Sequence, residues 1–466
     1  MTRRPRVAVV GGGITGLVAA HSLVTSALAP EVVLMEADRQ IGGKLRTSPF
    51  AGHPGIDEGP DAFLARLPWA TAHARLVGLG DSLVAPESGR AAVWWDQLHD
   101  IPQGLLLGMP TDLMGMARSH LLSWRGKFRA ATEPFRRRTA LTADSLGGFV
   151  RARFGSEVHL RLVDPLVGSI YAADTDRFSL AAVPQIAELA GRSRSVLLAA
   201  RHTPASPPAP DAGPVFWAPR EGMGRLAAAT ADAFTSSGGT LRSGTAVQRL
   251  EVDGGGWRID DEHFDAVVLA CPASATADLL RPSDDASADA LIAIPAADVA
   301  MVTLAVPASQ WPERLLGMSG YLVPKPKQRL VTAASFGSQK WSHWSVEGSV
   351  VLRVSLGRDG LPVLQHDDDT LLHAAVTEVG QHLGLDLQPT ASRITRWSGA
   401  FPQYRPHHAR TVASIQQGLP AGVVLAGASY HGIGVPTCVR SAQAGAAAVL
   451  RHLDPATPAA PRPVAE

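Results

Sequence analysis

The stretch Val7-Ala-Val-Val-Gly-Gly-Gly-Ile-Thr-Gly16 constrains this chain more than any other. Residues 7–10 form a short apolar run suited to a buried parallel strand. Gly11, Gly13 and Gly16 follow in G-x-G-x-x-G spacing. The first allows a tight turn, the second lets a pyrophosphate approach the backbone, and the third lets helix pack on strand. The helix that begins there offers free N–H groups and the positive end of its dipole to phosphates. Glu36 ends the next apolar run, about twenty residues on, where a carboxylate accepts from ribose hydroxyls. Glycine turns alone are common; here the strand before, the helix after and the distant acid agree, so the spacing predicts dinucleotide binding.

The whole chain, at 466 residues, is long enough for more than one domain. Its 43 Lys plus Arg nearly cancel 42 Asp plus Glu, so no global field points to nucleic acid. The two cysteines, Cys271 and Cys438, make neither a disulfide framework nor a C-x-x-C pair, and a reducing compartment follows. The basic start Met-Thr-Arg-Arg-Pro-Arg precedes an apolar segment broken by three glycines, which reads as a strand and not as a signal peptide. No apolar run reaches the length of a membrane span, and a cytoplasmic location is expected.

Along the chain, Gly42-Gly43-Lys44 suggests a second close backbone approach to phosphate, with Lys44 or Arg46 as the cation. Residues 68–200 look mostly helical. Within them, Ser123-Trp-Arg-Gly-Lys-Phe-Arg129 and Arg136-Arg-Arg138 form a basic face. The reading taken is a helical cap with solvated arginines; peripheral contact with a membrane surface is the alternative. The Pro-rich segment 203–214 and the tail 454–466 read as flexible. Strands are expected at 245–252 and 264–270, the latter in the first sheet, and residues 299–356 suggest a second, mostly antiparallel sheet followed by a helix near 370–384. Asp367-Asp-Asp369 sits where it favours that helix's N-terminal dipole, and no metal is expected. Val423-Val-Leu-Ala-Gly-Ala-Ser429, Gly432-Ile-Gly-Val-Pro436 and a small-residue helix repeat the strand, glycine turn and helix order at the C-terminal end. The predicted fold is therefore α/β. A discontinuous Rossmann-like domain (1–75, 215–290, 395–452) carries an inserted, mostly helical domain (76–200) and a mixed or antiparallel sheet domain (291–394) for substrate.

With these blocks in order, the chain resembles the flavin amine-oxidase superfamily and, within it, the bacterial porphyrinogen oxidases. The blocks are Gly11–Gly16, Glu36-Ala37, Gly42-Gly-Lys44, Glu58-Gly-Pro-Asp-Ala-Phe63, Asp164-Pro-Leu-Val-Gly-Ser-Ile-Tyr-Ala-Ala-Asp174, Phe401-Pro-Gln-Tyr404 with His408, and Gly427-Ala-Ser-Tyr-His-Gly-Ile-Gly-Val-Pro-Thr-Cys438. The resemblance implies FAD, held by Gly11, Gly12, Gly13, Ile14, Thr15, Gly16, Glu36, Ala37, Gly43, Lys44, Gly59, Pro60, Asp61, Ala62 and Gly427. It implies Val247 at the adenine, and Trp397, Ile433, Gly434 and Val435 near the flavin. It implies oxidation of coproporphyrinogen III to coproporphyrin III with O2, releasing H2O2, with protoporphyrinogen IX as the alternative substrate and ferrochelatase contact as a further expectation. Arg66, Tyr171, Phe401, Tyr404 and His408 are the candidate pocket residues, with no catalytic acid or base assigned. Ala173, Thr437 and Ala442 depart from the family's pattern of Gly, Asp and Gly there. A flavin-fold porphyrin-binding protein without turnover is the reading from a different class.

Overall fold

The computed structural model describes residues 3–137, 139, 144–202 and 213–454. A five-stranded sheet carries the N-terminal fingerprint. Its strands run in the order Thr240–Arg242, Glu31–Met35, Arg6–Val10, Ala266–Leu269, Val423–Leu425. All its pairings are parallel: Val7 lies beside Val32 on one side and Ala266 on the other, and Val267 beside Val423. Alternate side chains of the central strand enter different cores. Val7 and Val9 pack with helices Ile14–Val24, Gly224–Ser236 and Val435–Leu453. Ala8 and Val10 pack with Trp257, Phe264 and helices Ala273–Leu280 and Asp285–Ile292. Covering both faces is what turns the strand into an unbroken apolar run. The α/β class is as the sequence predicts, and strands from 6–35, 240–269 and 423–425 build this sheet.

The second sheet has seven strands, ordered Ala391–Pro402, Ala296–Pro307, Ser349–Leu356, Val331–Phe336, Met318–Leu322, Arg90–Trp95, Gln97–Asp100. It is antiparallel except where Met318–Leu322 runs parallel to Arg90–Trp95. Helix Asp368–Leu383 packs Leu371, Ala375 and Val379 into its core. The Asp367 carboxylate accepts the Thr370 N–H at 2.9 Å, so the acidic run is a helix cap.

Three expectations need correction. Residues 76–110 are not helical beyond their first residues. Short strands dominate there, and Arg90–Trp95 with Gln97–Asp100 extends the second sheet. Strand Ala391–Pro402 also belongs to that sheet along its whole length, so the boundary expected at 395 falls inside a strand. The strand expected from 245 begins only at Leu250. In the first two cases a partner distant in sequence decides, such as Tyr321 opposite Ala92, and local periodicity carries no record of it; in the third, the hairpin with Gly256–Ile259 sets the start at Leu250.

Among the described residues from 113 to 202, helices predominate. Ser145 caps Leu146–Phe154, its hydroxyl accepting the Gly148 N–H at 3.2 Å. A π turn at His159–Val163 then leads into Asp164–Tyr171, where Pro165 supplies no N–H to continue regular bonding. The Pro-rich segment, apart from Gly213 and Pro214, and the tail after Asp454 lie outside the described residues. Among the described residues no helix is long and apolar enough to cross a membrane.

Candidate functional site: a dinucleotide cradle tied to the second sheet

The glycine turn leaves its space in a telling pattern. A Cβ on Gly16 would stand 1.8 Å from the Gly11 carbonyl oxygen, so helix and strand touch there and only glycine fits. A Cβ on Gly13 would meet nothing within 4 Å. The turn is therefore closed behind and open in front. Gly13 caps helix Ile14–Val24 without any side-chain bond, leaving its first N–H groups available to an anion. Glu36 is held in place by two backbone donors: the Gly12 N–H reaches Oε2 at 2.5 Å, and the Asp38 N–H reaches Oε1 at 2.8 Å. The Thr245 N–H donates to the Glu36 carbonyl at 2.8 Å, which brings the segment carrying Val247 beside that acid. Ala37 is exposed at the end of the strand.

The second glycine pair joins the first. Gly42 bridges to Gly13, and its N–H donates to the Gly12 carbonyl at 2.8 Å. Lys44 stands in a recess: its side chain keeps solvent access, yet the surrounding protein lowers its pKa by desolvation. The last block closes the cradle. A Cβ on Gly427 would come 3.7 Å from Thr15 Oγ1, and the Gly427 N–H donates to Ser441 Oγ at 3.0 Å. Gly434 caps helix Val435–Leu453 without a side-chain bond, as Gly13 does for the first helix. Cys438 lies buried between Ile433 and the first helix, with burial pushing its thiol up to about 11, so it stays neutral.

The segment 58–62 crosses from this cradle to the second sheet, and three ties hold it. Trp397 Nε1 donates to the Glu58 carbonyl at 3.1 Å. The Arg353 guanidinium donates to the Gly59 carbonyl. The Asp61 carboxylate receives Lys340 Nζ at 2.8 Å and Trp341 Nε1 at 3.1 Å, with Arg353 3.6 Å away. Burial alone would raise the Asp61 pKa, but Lys340 and Arg353 outweigh it and hold the group well below the ordinary carboxylate range. A Cβ on Gly59 would strike the Lys44 carbonyl oxygen at 2.1 Å, so this segment is pressed against the phosphate-side turn. Arg46 stacks over Trp397 with 5.6 Å to the ring centre. Lys340 and Arg353 escaped sequence reasoning. The available signal was Arg353 itself, a lone cation inside Val350-Val-Leu-Arg-Val354.

The candidate pocket residues divide into three groups. Tyr171, Tyr404 and His408 come together: Tyr404 stacks on His408 with 4.4 Å between ring centres, and Tyr171 lies 4.8 Å from Phe178, which stacks on Tyr404. Tyr404 is only 3% exposed and its hydroxyl donates to the Ala428 carbonyl, so it struts the last glycine block against the cap. His408 is buried beside it, and desolvation lowers its pKa. Phe401 is half-buried in a separate small cluster with Trp397, Ala172 and Val299. Gln403 links the two groups by donating to the Tyr171 and Phe401 carbonyls at 3.0 Å each. Arg66 belongs to neither; it is exposed on the turn after Phe63–Leu64. Asp164 of the Asp-Pro-Leu block proves to be a buried anchor. It pairs with both terminal nitrogens of Arg358 at 3.1 Å, and the arginine, with Thr175, outweighs burial and lowers its pKa. Among the described residues no group of three or more His, Cys, Asp or Glu is gathered to hold a metal ion.

An open glycine cradle, an oriented ribose acid and two helix N-termini without side-chain cap bonds fit a dinucleotide whose far end reaches the second sheet. This is the class of two-part flavoprotein oxidoreductases. The model for flavin containing amine oxidoreductases matches residues 14–450, and the chain belongs to that family and, within it, to the coproporphyrinogen III oxidases. It is 34% identical to the coproporphyrinogen III oxidase of Mycobacterium tuberculosis over 96% of this chain and 97% of that protein. It is 32% identical to the one from Propionibacterium freudenreichii, covering 97% and 92%. A crystal structure from Exiguobacterium sp. 255-15, assigned provisionally as a protoporphyrinogen oxidase, superposes with a TM-score of 0.84 at 27% identity, covering 95% of this chain and 98% of that one. The cofactor is FAD, as the fingerprint and the family require.

Proposed function

We propose that this chain oxidises coproporphyrinogen III to coproporphyrin III in the cytoplasm, with O2 as the acceptor and H2O2 as the second product. The observation that carries the reading is the similarity to coproporphyrinogen III oxidases over nearly the whole chain. Bound FAD supplies the acceptor for hydride leaving a meso carbon. Three such two-electron rounds, each returning its electrons to one O2, account for the six hydrogens lost and for three H2O2.

The chain's own residues bind, orient and exclude water. Glu36 holds the adenosine ribose, the backbone of Gly11–Gly16 with Gly43 and Lys44 takes the phosphates, and Val247 meets the adenine. The segment Gly59-Pro60-Asp61-Ala62, with Trp397 and Ile433-Gly434-Val435, flanks the flavin ring. Tyr171 and Phe401, both half-buried, form the wall facing the tetrapyrrole, with Tyr404 and His408 fixing that wall from behind. Exposed Arg66 takes a propionate at the rim. Of the six hydrogens lost, three leave meso carbons as hydride, two leave pyrrole nitrogens as protons and the last leaves the fourth meso carbon as a proton during imine–enamine tautomerisation; aromatisation drives the sequence and the three protons pass to water.

The test is fluorimetric turnover on coproporphyrinogen III against protoporphyrinogen IX, with H2O2 measured in parallel. A clear preference for the first, with H2O2 formed in step with oxidation, is expected. Equal rates or the opposite preference overturn the substrate. A flavin that does not bleach with either porphyrinogen under anaerobic conditions would make this a binding protein without turnover.

A further inference from the structure

Helix Asp164–Tyr171 ends on Ala172, a non-glycine residue in the left-handed region (φ 46°, ψ 40°). Glycine is the ordinary occupant of such a cap, so the surroundings must hold the alanine there. They do so through the carbonyls that no further helical turn satisfies. The Tyr171 carbonyl accepts from Gln403 Nε2 at 3.0 Å. The Ala172 carbonyl accepts from the Asp359 N–H at 2.8 Å and from Gln403 Nε2 at 3.4 Å, and the Ala173 carbonyl from the Arg358 guanidinium. Gln403 also holds the other side of the wall. Its Nε2 donates to the Phe401 carbonyl at 3.0 Å, and its backbone N–H to the Pro295 carbonyl at 2.8 Å. Three oxygens around one nitrogen fix the orientation of the amide, because its oxygen end cannot donate. Gln403 is only 1% exposed, so it acts through what it holds.

The segments it joins carry the apolar wall and a charged end. Ala172 packs in a small cluster with Val299, Ala400, Trp397 and Phe401. Two residues past Gln403, Arg405 pairs with both Asp359 oxygens at 2.6 and 2.8 Å, and Arg177 stands 3.7 Å from the same carboxylate. One carboxylate between two guanidinium groups leaves this end of the wall with a surplus positive charge. Asp359, whose N–H holds Ala172, ties that charge to the wall. Releasing the Gln403 amide therefore shifts the two sides of the wall, and the charged end with them.

We propose that Gln403 is the positioning residue that sets the spacing of Tyr171–Ala172 against Phe401 and through it, given the porphyrinogen reading above, the preference for a tetrapyrrole with four carboxylate arms over one with two. A relaxed wall still admits the macrocycle but no longer seats an arm against Arg405 and Arg177, and the discrimination is lost.

The test compares Gln403→Met, close in size and without donors, with the parent as full-length, flavin-loaded protein. kcat and KM are measured on coproporphyrinogen III and protoporphyrinogen IX, and the Kd of coproporphyrin III by fluorescence quenching. The variant is expected to raise KM and Kd for the four-armed macrocycle about tenfold, with kcat changed less, and to bring the two kcat/KM values within about twofold of each other. Flavin absorbance stays unchanged. Glu378→Ala is the control for plain loss of stability: Glu378 is buried on helix Asp368–Leu383 and accepts the Leu330 and Val331 N–H groups, both at 3.2 Å. Its substrate preference stays that of the parent. Gln403→Glu sets a carboxylate among three carbonyl oxygens, and its protonated form regains one O–H donor, so its KM relative to the parent recovers as pH falls from about 8 to about 6. An unchanged preference in Gln403→Met, or an equal shift in Glu378→Ala, overturns the proposal and leaves the substrate reading intact. Should Gln403→Met lose its flavin, absence of acid recovery in Gln403→Glu overturns it instead. A parent that shows no preference, or does not bind coproporphyrin III, fails the substrate reading itself, and the positioning role falls with it.

Discussion

Asp61→Asn is the sharpest probe of how the two sheets share the site. The substitution keeps the shape and removes one negative charge from between two cations. With an effective dielectric of about 20, the Lys340 contact at 2.8 Å is worth about 6 kcal/mol of gross attraction and the Arg353 contact at 3.6 Å about 5 kcal/mol. Most of that offsets the desolvation of three charges, so the net value of the cluster is far smaller. Removing the central charge leaves two cations facing each other, Arg353 only 5% exposed, which costs about 3–5 kcal/mol. For a chain of this length the unfolding entropy translates that into a fall of about 3–5 °C in Tm. Since Asp61 sits on the segment tied at Gly59 to Arg353, flavin content after gel filtration falls as well. The pH dependence has a definite sign. A carboxylate whose folded pKa is depressed stabilises the fold above its unfolded pKa, near 4, and loses that contribution as pH falls through the folded value. The gap between Asp61→Asn and the parent therefore narrows in acid. A double-mutant cycle with Lys340→Met should show coupling of about 1–3 kcal/mol. Additivity to within about 0.5 kcal/mol, with flavin retention unchanged, would refute the clamp.

Asp57, fully buried, carries the opposite sign. Burial lifts its pKa to about 6, so it destabilises the fold as pH rises from about 4 to 6, by about 2–3 kcal/mol in full. Asp57→Asn should raise Tm near pH 8 and not near pH 4; an equal shift at both ends rules this out. Glu36→Ala removes the ribose acid and should weaken FAD retention by about 10- to 100-fold, read by equilibrium dialysis; unchanged flavin content argues against the role. Arg358→Met leaves Asp164 buried without its partner and should cost about 3–5 kcal/mol in denaturant unfolding, whereas a loss below about 1 kcal/mol would show the pair to be dispensable. Gly59→Ala, placing a methyl against the Lys44 carbonyl, should lower both Tm and flavin content, whereas Gly13→Ala, whose methyl meets no protein atom, should leave Tm unchanged and lower flavin content alone; a fall in Tm for Gly13→Ala as large as for Gly59→Ala rules this out.

Much of the site was readable from residues alone because its parts are local. A strand, a glycine turn and a helix are contiguous in the chain, and the acid that ends the next strand is placed by the fixed length of one helix and one turn. Hence Gly11–Gly16, Glu36, Gly42–Gly43 and the final Gly432–Val435 turn all stand where sequence places them, and the split of the first sheet into three pieces follows from two such patterns at opposite ends. Other features depend on partners hundreds of residues away. Arg90–Trp95 became a strand because Met318–Leu322 offered it an edge, and Asp61 became a clamp because Lys340, Trp341 and Arg353 converge on it. Tyr404 and His408, marked by their motif as pocket walls, were turned into a buried stack by Phe178 and the Ala428 carbonyl. The same holds for the basic helix at 124–131. Its composition is compatible with a solvated cap or a bilayer contact; the inward placement of Gly126 and Ala130, set by Glu157, turned its aromatic edge outward. Backbone conformation and spacing are local properties that a sequence carries directly, whereas the identity of a charge's partner and the direction of a helix face exist only once the chain has closed on itself.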